Sequence, residues 1–223
     1  MDFIECIKDE IDREREIGEG LHSLILFGSY VRGDFVEGVS DLDFFAVLER
    51  GHEGVIPRLK PILEDCTRGV NRITVDIPWE YVDNLDDPLN KGFPFKFLTF
   101  YQWDFLENHV VVYGKGIVEL LPRYDWRDLA RWRAETLLSS RERFRGNIQM
   151  LKLSAGEVIR LMALLNGGKG ISKDDIQRAL RGLGDGEAVE IFNAYLDGRD
   201  LGHSEEYWVG FITSRLEKIL SVL

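Results

Sequence analysis

Residues with the types and spacing to do chemistry are concentrated in one stretch, LFGSYVRGDFVEGVSDLDFFAV, residues 26–47. Asp41 and Asp43 open a run of apolar residues that reads as a β-strand, and residues two apart on a strand project from the same face. Their carboxylates therefore point together, with Leu42 turned into the core. Two carboxylates about 4 Å apart repel by roughly 4 kcal/mol at an effective dielectric of about 20. A fold carries such a pair only with a cation between the charges, a proton on one of them, or full screening by water. Hard oxygen donors in this arrangement suit Mg²⁺, which is commonly held by one or two carboxylates together with substrate phosphates. Gly28 and Ser29 supply the complement. Glycine lets the backbone approach a phosphate closely, and the serine hydroxyl and nearby N–H groups can donate to it.

The order of these residues resembles the signature of the DNA polymerase beta superfamily of nucleotidyltransferases: Gly-Ser, eleven residues, then Asp-Leu-Asp. This superfamily includes kanamycin nucleotidyltransferase and the aminoglycoside adenylyltransferases. The resemblance implies an α+β catalytic core with a mixed sheet and flanking helices, ATP or another nucleoside triphosphate as substrate, and Mg²⁺ as cofactor. It also implies a third acid on a later strand. Asp76, in RITVDIP, matches that position, which makes Asp41, Asp43 and Asp76 the expected catalytic and metal-binding set. Glu80, four residues on, is the competitor for the third place. Gly28 and Ser29 are expected at the phosphates. Arg32 stands where small members of the superfamily often carry Arg-Gly, so it is read either as a phosphate contact or as an exposed turn arginine. Ser40 is placed to cap or orient the loop entering Asp41.

The elements that must position these residues follow from periodicity. Residues 2–17 carry isoleucines at near-helical spacing among charges. Leu21–Phe27 is a short apolar run ending at Gly28, a buried strand, and residues 41–48 form the next. Residues 55–68 read as a helix despite Pro57 and Pro61. NRITVDI, residues 71–77, is a third strand by its β-branched content. A helix is expected from Pro94 through the aromatic-rich run to Asn108, followed by the strand HVVVYG. From Asp125 onward the pattern is helical, with Ser172 as an N-cap and a final amphipathic helix from Glu205. This gives a catalytic domain over 1–118 and an all-helical, substrate-binding domain over 119–223. The helical part also resembles the C-terminal domains of the aminoglycoside adenylyltransferases, chiefly in GGKGISKDDIQRAL.

The 223 residues are 44% hydrophobic and 30% charged, an ordinary globular composition. A formal net charge of −11 disfavours bulk nucleic acid as a partner, because phosphate-backbone binding normally draws on a basic excess. The arginines from Arg123 to Arg145 form a local basic run, read mainly as a solvated helix face with one or two members able to reach a triphosphate. Cys6 and Cys66, far apart and without a pairing pattern, suit a reducing cytoplasm and argue against a disulfide. With no signal-like or membrane-spanning stretch, the expected localisation is cytoplasmic. His22, His52, His109 and His203 lack metal-ligand spacing. The expected reaction is transfer of a nucleotidyl group, AMP in the first instance, to a hydroxyl of a small-molecule acceptor seated between the domains, an aminosugar being one candidate. Two alternatives stand beside it: nucleotidylation of a protein partner, and a module that binds nucleotide without transferring it.

Overall fold

The computed structural model describes residues 2–37, 40–70, 77–168 and 170–223, which fall into two compact units, Met1–Arg123 and Tyr124–Leu223. The sequence places the division at 118/119. Residues 119–123 stay with the first unit because Ile117 and Leu121 pack in its core, and because the Gln102 side-chain amide donates to the Pro122 carbonyl at 2.7 Å.

In the first unit, α1 (Phe3–Arg13) is capped by the Asp2 carboxylate, which accepts from Ile4 N, and buries Phe3, Ile7 and Ile11 at four-residue spacing. A short helix, α2 (Arg15–Gly20), leads into β1 (Leu21–Phe27). One helical turn, α3 (Ser29–Arg32), connects β1 toward β2 (Asp43–Leu48). Then come α4 (Val55–Thr67), β3 (Trp79–Tyr81), α5 (Gln102–Glu107) and β4 (His109–Gly114). The four described strands lie in the order β3-β2-β1-β4. β1 pairs antiparallel with both β2 and β4, while β2 and β3 are parallel, so the sheet is mixed as expected.

Alternation along the central strands gives the sheet two buried faces. Leu24, Leu26, Phe44, Ala46 and Leu48 join α1 and α4 in one core. Ile25, Phe45 and Val47 join Leu98, Phe105 and Ile117 in the other. Asp43 belongs by parity to the second face, at the end where β2 begins.

Two expectations on local structure change, and a third falls almost wholly outside the described residues. The strand read over 71–77 lies, except for Ile77, outside the described residues; the described strand is Trp79–Tyr81. The helix expected from Pro94 is confined to Gln102–Glu107, and residues 93–101 form turns closed by bonds such as Tyr101 N to the Lys96 carbonyl at 2.7 Å. The reason is side-chain geometry. Phe95 and Phe97 both pack on Phe45, at 5.9 and 4.9 Å between ring centroids, and a helix would send residues two apart to nearly opposite sides. Finally, Cys6 on α1 and Cys66 on α4 are joined in a disulfide, with Cα atoms 5.7 Å apart. Residues 60 apart in sequence meet because α1 and α4 pack side by side on one face of the sheet. The pairing overturns the expectation of two free thiols and removes the argument that ran from them to a reducing compartment.

The second unit consists of α6 (Trp126–Ser140), α7 (Ile148–Leu165), α8 (Lys173–Leu183), α9 (Gly186–Leu196) and α10 (Glu205–Val222). Asp125, Asn147, Ser172, Asp185 and Ser204 each accept a backbone N–H in the first turn of the helix that follows. Such caps are each worth about 1 kcal/mol. α7 buries Leu151, Ala155, Val158 and Ile159, and its buried Glu157 takes both arms of the Arg133 guanidinium. That arginine of the basic run is thus engaged inside the helical unit. Among the described residues no helix is long and apolar enough to cross a membrane.

Candidate active site

The end of β1 and the start of β2 are adjacent, since Phe27 pairs with Asp43. Gly28 follows at φ 77°, ψ −153°, a conformation open to glycine and strained for any other residue. Its missing side chain matters a second time. A Cβ on Gly28 would overlap the Asp43 carboxylate, standing 2.8 Å from its Cγ. The Gly-Ser turn and the Asp43 carboxylate therefore lie against each other. Ser29 opens α3, and Gly33 closes it at φ 83°. Ser40, buried, accepts from Val36 N through its hydroxyl at 2.9 Å while its own N–H donates to the Val36 carbonyl at 2.8 Å. These two bonds tie the residue directly before Asp41 to Val36. Along 41–43 the strand alternation holds: Asp41 is exposed, Leu42 is buried and Asp43 is half-buried.

Asp43 is pushed up to about 6, first by burial and then by the negative charge of Asp41, against the partial relief of Arg32 and Lys96; Asp104 adds to the push. Its carboxylate is ionised at neutral pH at a cost, and a cation would lower that cost.

Arg32 is not the exposed turn arginine that one reading allowed. Its Nη1 donates to Asp104 Oδ2 at 2.8 Å, its Nε lies 3.2 Å from Asp34 Oδ1, and its side chain is 15% exposed. Asp104 is a residue the sequence reading missed. It is buried on α5, with Asn108 Nδ2 donating to its other oxygen at 3.1 Å, and burial holds it above the usual carboxylate range. The available signal was an aspartate set between Trp103 and Phe105 in the aromatic run FYQWDFLEN.

Asp76 lies outside the described residues. Glu80, its competitor, is buried on β3, and its carboxylate is fully engaged. It accepts from Tyr81 N at 2.8 Å, Asn84 Nδ2 at 2.6 Å and Phe93 N at 2.6 Å. Among the described residues no group of three or more His, Cys, Asp or Glu side chains is gathered as for a metal ion. Asp41 and Asp43 are two members of the expected set. The histidines serve packing and pairing: His22 meets Glu49 at 2.9 Å, and His109 stacks on Phe105.

The antiparallel β1–β2 pair, with its Gly-Ser turn against an acidic strand entry, lies within residues 6–93, which match the family model of the nucleotidyltransferase domain. Over its full length the chain is similar in fold to spectinomycin adenyltransferase AAD(9) from Enterococcus faecialis, solved with ATP and spectinomycin. The TM-score is 0.60 at 18% identity, covering 96% of this chain and 98% of that one. No curated protein matches the sequence. The match over residues 6–93, which hold Gly28, Ser29, Asp41 and Asp43, bears out the resemblance drawn from the Gly-Ser and Asp-Leu-Asp spacing.

Proposed function

We propose that the protein transfers a nucleotidyl group, AMP from ATP in the first instance, to a hydroxyl of a small-molecule acceptor, with Mg²⁺ held by Asp41 and Asp43. The observation that carries this reading is the contact of Gly28 with the Asp43 carboxylate, beside a second acid, inside the segment that matches the nucleotidyltransferase domain. Two hard oxygen donors, one of them costly to ionise, fit a small divalent cation. Bound there, Mg²⁺ would neutralise charge on the triphosphate as the α-phosphorus is attacked.

Gly28 leaves room for the Asp43 carboxylate, which brings the turn up to the metal-binding acids, and Ser29 donates to the triphosphate. The acceptor oxygen forms a bond to the α-phosphorus as the bond to the bridging α–β oxygen breaks, and pyrophosphate departs. The hydroxyl proton passes to Asp76. Glu80 is set aside for this role because three N–H groups already occupy its carboxylate. A structural neighbour solved with ATP and spectinomycin supports both the nucleotide and the class of acceptor.

The test is incubation with α-labelled ATP, Mg²⁺ and a panel of aminosugars and other polyhydroxylated metabolites. Label on a small molecule, lost on chelation, is the expected result. Label on protein alone, or on nothing while ATP still binds, would refute the reading.

A further inference from the structure

Arg32 ends the helical turn that begins at Ser29, and what holds it there belongs to a different part of the chain. α5 is fixed on the sheet by Phe105, which is buried against Phe27 and Phe97 at 5.5 and 5.6 Å between centroids and stacks on His109. Asp104, next to it, is thereby presented at a set position. Its two oxygens are taken by Arg32 Nη1 and Asn108 Nδ2, so its orientation is fixed as well. From Arg32 the connection continues through the α3 backbone: Arg32 N donates to the Gly28 carbonyl at 3.1 Å, and Asp34 N to the Ser29 carbonyl at 3.0 Å. The second contact of the guanidinium, to Asp34, clasps the far side of the same turn. No residue of Ser29–Arg32 is fully buried: Val31 packs half-buried on the core formed with α1 and α4, and Tyr30 lies edge-on to Phe3 and Phe35. These apolar contacts hold the α1 side of the turn, and on the α5 side it is held by the Arg32–Asp104 pair.

Resting on the proposed transfer reaction, we infer that Asp104 is a positioning residue: through Arg32 it brackets the Gly28-Ser29 turn to α5, so that the turn stands ready against the β2 carboxylates. Arg32 then serves as the clasp of the turn, engaged by carboxylates on both sides, in place of the phosphate contact expected of it. Bracketing of this kind acts on the geometry of reaction, where displacement by about 1 Å can cost on the order of 10²-fold in rate.

The experiment compares Asp104→Asn, Arg32→Gln and the double variant by single-turnover rate, ATP affinity with Mg²⁺, and amide hydrogen exchange over residues 28–34. The single variants should each lose on the order of 10²-fold in rate, keep ATP Kd within about threefold, and exchange faster over 28–34. The double variant should be no slower than the slower single, since both changes open one bracket. Asp104→Glu and Arg32→Lys, which keep the charges, should recover most of the rate, and they carry the test if the neutral variants do not fold. Unchanged exchange and rate in Asp104→Asn would overturn the inference. So would additive losses, or a weakened ATP affinity confined to Arg32→Gln, which would make Arg32 a phosphate ligand. If the wild-type protein transfers nothing, the functional reading fails, and the exchange measurement alone decides the bracket.

Discussion

Asp43 and Glu80 are carboxylates on neighbouring strands of one sheet, on the same face, and the fold treats them in opposite ways. Glu80 pairs in register with Val47, four residues along β2 from Asp43. Its burial is balanced by three N–H donors, and Gly92 is bare because a Cβ there would stand 2.6 Å from the Glu80 carboxyl carbon. Asp43 has a glycine packed against it too, yet among the described residues no hydrogen-bond donor reaches its carboxylate, and after burial the largest influence on it is another acid, Asp41. A buried carboxylate supplied with donors builds structure, here by fastening residues 84–93 to β3. One left with burial and like charge costs stability, and such sites are where function concentrates.

Exchanging the two roles by mutation gives the largest expected effect. Asp43→Asn, and Asp41→Asn likewise, should reduce nucleotidyl transfer by at least about 10²-fold with no loss of melting temperature. Glu80→Gln should retain transfer within about tenfold and instead lose about 1–3 kcal/mol of stability, as a charge-assisted acceptor is replaced. Transfer assays and thermal melts on the same preparations check both. If Glu80→Gln is the slow variant and Asp43→Asn is not, the comparison is inverted.

Next in size is Gly28→Ala. The substitution meets an unfavourable φ and the Asp43 carboxylate together, so it should cost about 1–3 kcal/mol and impair divalent-cation binding. Gly33→Ala sharpens the contrast. Gly33 has a similar φ but no atom within 4 Å of an added Cβ, so it should lose only the backbone part. Equal losses in the two variants would mean that the approach of Gly28 to Asp43 has no consequence.

The smallest effect is the pH dependence. Asp43 is raised from 3.8 to about 6, so the native state keeps a proton that the unfolded chain has already released. Stability therefore falls as pH rises from about 4 to about 6, by at most about 3 kcal/mol from this group. Asp43→Asn should melt above wild type at pH 7 and match it below pH 4, with Mg²⁺ closing the gap at pH 7. A constant difference across pH would exclude Asp43 as its source. Glu80→Gln should show no such closing with Mg²⁺.

Much of this site could be read before the fold was known, and the reasons are local. A glycine ending an apolar run, a serine after it and acids at i and i+2 are facts of the chain, and strand alternation alone turned Leu42 inward and kept Asp41 outside. The helical cap at Ser172 was equally plain. What escaped depends on distant segments meeting. Asp104 acquires its part only because α5 docks beside the turn after β1, and nothing in FYQWDFLEN names Arg32. Phe95 and Phe97 fitted a helical pattern until both had to reach Phe45. Cys6 and Cys66 looked unrelated until α1 and α4 lay side by side.

The Cys6–Cys66 bond closes residues 6–66 into a covalent ring, and Gly28, Ser29, Arg32, Ser40, Asp41 and Asp43 all lie on that ring. A single cut anywhere within it, such as in the exposed stretch at Glu37, would open the ring without parting the chain. Both new ends would stay tethered to one molecule until a reductant released them. The loop-closure entropy removed from the unfolded state corresponds to about 4 kcal/mol for a ring of this size. The part of the protein that must hold two like charges together is thus the part with the least freedom to lose when it folds.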